Sequence, residues 1–166
     1  YLRTGGFPFA VSEGNIVFKL MRRMIYEDAL AEFSLSEKKV DSAEKFLGFL
    51  ASSKLGEFSY SSFSNTSGYA KTTVFDTASL LKELGILTAL TEYSAKAQAK
   101  TSVKLLFAHP NLRSAVASEL MREPEIGALR EEYFVFHARN LNLPVFLPKK
   151  SKKTPDYEVL LGNKKT

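Results

Sequence analysis

Residues 41–90, DSAEKFLGFLASSKLGEFSYSSFSNTSGYAKTTVFDTASLLKELGILTAL, restrict the possible folds more than any other stretch of this chain. Asp41 can cap free amide groups, and Glu44 three residues later completes a capping box ahead of an apolar run. Phe46, Phe49 and Leu50 then share one helical face. A short second helix fits residues 59–65 with Phe63 as its anchor, and Thr66, Ser67 and Gly68 supply the small residues of a tight connection. Residues 70–84 place Val74, Ala78, Leu81 and Leu84 on one stripe at helical period, and Gly85 ends the run. Residues 86–90 are apolar enough for a strand, and so are residues 103–107.

Three short helices followed by a hairpin form the pattern of a winged helix-turn-helix. Between the two strands lies a polar linker containing Lys96, Lys100 and Lys104, a basic tip suited to a wing. The third helix is the expected recognition helix, with Lys71, Thr72, Asp76, Ser79, Lys82 and Glu83 on its outer side. Lys71, Thr72 and Lys82, with Lys96 and Lys100 on the wing, are the candidate phosphate contacts, because phosphate neutralisation supplies much of the affinity for DNA. Asp76 and Glu83 oppose that role unless each faces an exposed base amine. Winged helices also pack against proteins, so the expected target is DNA or a partner protein.

With 45% apolar and 12% aromatic residues, the 166-residue chain has enough material for a packed core. A net charge of +5 permits nucleic acid or an acidic partner without requiring either. The absence of cysteine excludes disulfides, thiol catalysis and zinc ribbons, and fits a reducing, cytoplasmic setting. No run approaches the roughly 18 apolar residues of a membrane span, so no membrane partner is expected. The sequence opens at Tyr1 on a glycine-rich segment and reads like the middle of a longer chain.

Residues 1–11, with Gly5, Gly6 and Pro8, read as a tight apolar turn rather than a phosphate loop, since no Walker spacing follows. Residues 13–33 are helical in pattern, with Val17, Leu20, Met21, Met24 and Ile25 inward and Lys19, Arg22 and Arg23 on a solvated face. Residues 34–40 form a polar connection. Past the wing, His109, Pro110 and Asn111 make a turn, and Leu112, Val116 and Leu120 mark a short helix. His109 and His137 are the two histidines, and their spacing supports neither a metal site nor a catalytic triad. Residues 127–139 read as a helix carrying Glu131 and Glu132. A strand at 144–147, a basic turn at 149–153 and a strand at 157–161 follow. The expected division is 1–40 for the opening loop and linker helix, 41–108 for the winged helix, and 109–166 for the remainder.

The order of these pieces resembles the C-terminal region of predicted prokaryotic AAA-type ATPases, the DUF4143 group. Tyr1, Gly5, Gly6, Phe7 and Pro8 match its glycine-glycine-aromatic-proline segment. Thr73, Val74, Leu80, Leu81 and Leu84 match its third winged-helix helix. Gly127, Leu129 and Glu131, then Pro155, Asp156 and Tyr157, match its final helix and hairpin. The family's turn aspartate and glycine stand here as His109 and Asn111.

The resemblance implies an α+β fold, mainly helical, in which the winged helix precedes part of a restriction-endonuclease-like α/β subdomain of the PD-(D/E)xK type. It makes Glu131 and Asp156 the metal-facing acids. No lysine stands two residues after Glu158 to complete that motif. In the plainer reading, Glu131 caps or pairs with a lysine of the basic turn and Asp156 starts a strand. The chain itself carries no nucleotide motif and needs no cofactor; ATP and Mg²⁺ are implied only for a parent chain. The expected function is that of a non-catalytic winged-helix region directing an ATPase by binding DNA or a partner protein. Two alternatives stand beside it: a Mg²⁺-dependent nuclease using Glu131 and Asp156, and a stand-alone winged-helix transcriptional regulator with residues 13–33 as its dimerisation helix.

Overall fold

The computed structural model describes residues 16–28, 37–53, 59–92, 103–148, 156–161 and 164–165. Its elements are α1 (Ile16–Arg23) running into a π-helical turn (Met24–Asp28), α2 (Glu37–Ser52), α3 (Tyr60–Ser67), α4 (Lys71–Glu83), β1 (Leu87–Thr91), β2 (Val103–Phe107), α5 (Pro110–Glu119), α6 (Ile126–Asn140), β3 (Val145–Phe146), β4 (Glu158–Leu161) and β5 (Lys164–Lys165). The protein is α+β and mainly helical. It has one antiparallel sheet of order β1-β2 and a second of order β3-β4-β5. No helix among the described residues is long and apolar enough to cross a membrane.

α2 begins at Glu37, four residues before the expected cap at Asp41. Val40 is buried in the core, which draws the preceding turn into the helix. Asp41, now inside the helix, turns its carboxylate to Lys45 at 2.9 Å and to the Tyr69 hydroxyl. Of the helix expected over residues 13–33, the described part is α1 and its π-helical turn; Val17, Met21 and Ile25 are buried and Met24 partly so, whereas Leu20, expected inward, is 43% exposed.

α3 is capped by Ser59, whose hydroxyl accepts the Ser62 amide at 3.0 Å. It stops at Gly68 with φ +75°, a left-handed conformation that only glycine enters without cost. Three residues later α4 starts, and its buried stripe comprises Val74, Thr77, Ala78, Leu80 and Leu81. Across α2 and α4 the Ser42 and Thr77 hydroxyls meet at 2.9 Å in a buried pair.

Strand alternation divides the apolar side chains of the β1–β2 hairpin between two cores. Leu87, Leu105 and Phe107 face the cluster formed by α1 to α5, which includes Phe46, Leu47, Phe63, Val74, Leu81 and Val116. Leu90 and Leu106 face a second cluster with Val135 and Ala138 of α6 and Val145 of β3. The hairpin stem is therefore covered on both faces, a feature the sequence did not announce. α5 packs back on α1 and α2, so in packing terms residues 110–119 join the first core, although the expected division put them in the remainder.

Candidate nucleic-acid interface

α4 coincides closely with the helix expected over residues 70–84. Lys71, Thr72, Asp76, Ser79, Lys82 and Glu83 are all exposed, and so is Phe75, which sequence reasoning passed over. At about 100° per residue these side chains fall into two ridges. Lys71, Phe75, Ser79 and Lys82 lie along one, within roughly 80° of each other about the helix axis. Thr72, Asp76 and Glu83 lie along its neighbour. The two carboxylates are thus set to one margin of the face rather than scattered across it. Lys71 and Lys82 are about 16 Å apart along the axis, at the two ends of the first ridge. Neither ammonium group has an ion-pair partner among the described residues.

Phe75 is 50% exposed, and its ring sits 4.4 Å from that of Tyr60 on α3. Burial raises the Tyr60 phenol above its ordinary range. Beside the α3–α4 turn, Asp41, Lys45 and Tyr69 form a small exposed network. The Tyr69 hydroxyl, and then the Lys45 ammonium, hold the Asp41 carboxyl below its usual value, and the same bond raises Tyr69. The network ties the turn to α2. Of the residues expected in a wing, Lys96 and Lys100 lie outside the described residues. Lys104 falls within β2, paired in register with Leu90, and its ammonium is turned away to Glu131 and to the Tyr157 hydroxyl.

The two acids assigned to a metal are differently placed. Glu131 is partly buried, and its carboxylate accepts from both Lys104 and Tyr157, joining α6 to β2 and to the residue before β4. Its lysine partner is in the hairpin; the basic turn at 149–153 lies outside the described residues. Asp156 is exposed. No group of three or more acids or histidines among the described residues is arranged to hold a metal ion. His109 caps α5 instead, its Nδ1 accepting the Asn111 amide at 3.1 Å. Burial, and secondarily His137, lower its pKa, which keeps Nδ1 free to accept.

Sequence reasoning missed Arg113 and Glu132. Arg113 Nε donates to Glu132 Oε1 at 2.8 Å, and both side chains are almost wholly buried. The same oxygen accepts the Phe107 amide at 3.0 Å, while Arg113 Nη1 donates to the carbonyls of Leu50 and Ala51. Four elements, α2, β2, α5 and α6, meet at this pair. A signal was present: Glu132 lies four residues after Ala128 and three before Val135, on the buried stripe of α6.

A family model described as Domain of unknown function (DUF8612) matches residues 1–123. The match ends between α5 and α6, so it takes in every element of the first core. An uncharacterized protein of Methanocaldococcus jannaschii, MJ1637, is 27% identical over 146 residues, which are 82% of this chain and 31% of that protein. The chain thus spans about a third of the length of that relative. No solved structure matches it. The resemblance to the DUF4143 ATPase group is overturned by this match, and the ATP and Mg²⁺ inferred through it lose their basis. The motifs behind that resemblance, a glycine pair, a Leu-Leu helix stripe and a short acid-bearing hairpin, are patterns that helix and strand packing produces in many folds.

Proposed function

This chain belongs to the family described as Domain of unknown function (DUF8612), and we propose that α2, α3, α4 and the β1–β2 hairpin act in it as a winged helix that binds duplex DNA through the outward face of α4. The observation that carries this reading is the ridge Lys71, Phe75, Ser79, Lys82, exposed along the whole helix and basic at both ends. A helix fits the major groove, about 12 Å wide, and lysines about 16 Å apart can reach phosphates on either side of it. Between them Ser79 and Phe75 face base edges, the ring being suited to a thymine methyl. The acids sit on the adjoining ridge, where Asp76 can accept from a cytosine amine. Lys96 and Lys100 of the expected wing would add phosphate contacts.

Fluorescence anisotropy with a labelled duplex at several salt concentrations tests the reading. Lys71→Glu with Lys82→Glu is expected to weaken binding at least tenfold and to flatten the salt slope by roughly 1.8, about 0.9 for each phosphate that is no longer neutralised. An affinity and slope equal to wild type would sink it.

The half-exposed Phe75 beside Tyr60 favours a second reading, a protein partner seated on the same face. Loss of a partner on Phe75→Ala with no dependence on Lys71 and Lys82 would select it. The nuclease alternative has weaker support, because the Glu131 carboxylate is already engaged by Lys104 and Tyr157.

A further inference from the structure

Two neighbouring groups on the outward face of α4 do nothing for phosphate binding. Phe75 is 50% exposed, and Asp76 is exposed beside it. A ring gains nothing from a phosphate, and a carboxylate is repelled by it. Helix formation does not call for them either. Phenylalanine and aspartate are both middling helix formers, and Asp76 stands in the second turn, past the first turn where an acid helps most. Glu83, on the same ridge as Asp76, lies about 10 Å further along the axis.

Successive residues of a helix are turned about 100° and rise about 1.5 Å, so the ring and the carboxylate stand side by side at nearly the same height. The Phe75 ring rests against that of Tyr60 on α3, with 4.4 Å between centres, which backs it on that side. Together the two groups offer one base edge an apolar contact and a hydrogen-bond acceptor. In the major groove cytosine presents its N4 amine as a donor, next to C5; thymine presents a C5 methyl, next to the O4 acceptor. Neither of these pyrimidines satisfies both groups. Thymine has the methyl but sets an acceptor against the carboxylate, and cytosine has the amine but leaves the ring facing a bare C5–H. A cytosine methylated at C5 carries both features on adjacent ring positions.

We propose that α4 reads 5-methylcytosine in duplex DNA, with Phe75 against the C5 methyl and Asp76 accepting from the N4 amine. This rests on duplex binding by α4 and names the base that its face selects. Burial of one methyl group accounts for a preference of about fourfold over unmodified cytosine. Loss of the amine accounts for about tenfold against thymine. Lys71 and Lys82 supply affinity without choosing between bases.

The test uses one mixed-sequence duplex pool in three forms: with ordinary bases, with 5-methylcytosine in place of cytosine, and with uracil in place of thymine. Competition followed by fluorescence anisotropy measures the affinity of the full chain for each. The methylated pool should bind about fourfold more tightly than the ordinary one, and the uracil pool should match the ordinary one within about twofold. Phe75→Ala should bring the methylated and ordinary pools to equal affinity. Asp76→Ala should make thymine acceptable to the ring, so that the uracil pool now binds more weakly than the ordinary one. Lys82→Ala should weaken all three alike and keep their ratios. Should Phe75→Ala fail to fold, the ratios of Asp76→Ala decide, because Asp76 is exposed. A chain that binds none of the pools overturns the reading of α4 itself. Equal binding of the methylated and ordinary pools, a wild type that is weakened by uracil, or a methyl preference that survives Phe75→Ala overturns this proposal and leaves that reading standing.

Discussion

Arg113 and Glu132 form an ion pair sealed from solvent, with side chains 2% and 0% exposed, and it binds the end of α2 to α5, β2 and α6. The guanidinium also lies 5.1 Å from the centre of the Phe107 ring. Removing Glu132 leaves the buried Arg113 guanidinium without its partner, and removing Arg113 leaves the buried Glu132 carboxyl without its donor; either loss costs more than the pair itself contributes. Arg113→Ala and Glu132→Ala are each expected to lower stability by about 3–5 kcal/mol. The double variant should cost little more than either single one. Urea unfolding of the four proteins checks this, and additive losses would show that the two groups act separately.

Burial is the larger influence on Glu132, and it raises the carboxyl from 4.5 to about 7 against the opposing pull of Arg113 and the Phe107 amide. The folded state therefore holds a proton that the unfolded chain releases. The stability this proton supplies is full below pH 4.5 and is lost as pH rises through about 7. Glu132→Gln should flatten the dependence of stability on pH across that window. A slope unchanged by the substitution would assign it to another group.

Phe63 and Phe75 lie on the two helices of the turn and are expected to respond in opposite ways. Phe63 is 2% exposed and packs edge-on to Phe46 and Phe49 at 5.0 and 5.3 Å, so Phe63→Ala should cost about 3–5 kcal/mol. Phe75 is half exposed with its ring against Tyr60, and Phe75→Ala should cost at most about 1 kcal/mol while altering whatever α4 binds. Thermal melts beside binding assays separate the structural aromatic from the exposed one.

Two glycines should move stability in opposite directions. Gly68 stands at φ +75°, and Gly68→Ala should cost about 1–2 kcal/mol by forcing a Cβ into the left-handed region. Gly48 is helical with room for a methyl group, and Gly48→Ala should add about 0.5–1 kcal/mol. Denaturant midpoints of the two variants on opposite sides of wild type are the expected result.

The local pattern by itself determined α3, α4, the β1–β2 strands and the outward residues of α4, because apolar period and the placement of glycine are short-range properties. It misjudged the start of α2, since the burial of Val40 depends on neighbours far along the chain. It also took Glu131 rather than Glu132 as the significant acid. Both lie on the same turn of α6, and only the packing of α5 and β2 decides which one is enclosed. The same holds for the hairpin, whose two-faced burial requires α6 and β3 to dock on it. Backbone preference and hydrophobic period act within a few residues; which polar group is buried, and which surface stays open, is set by elements that meet across the fold.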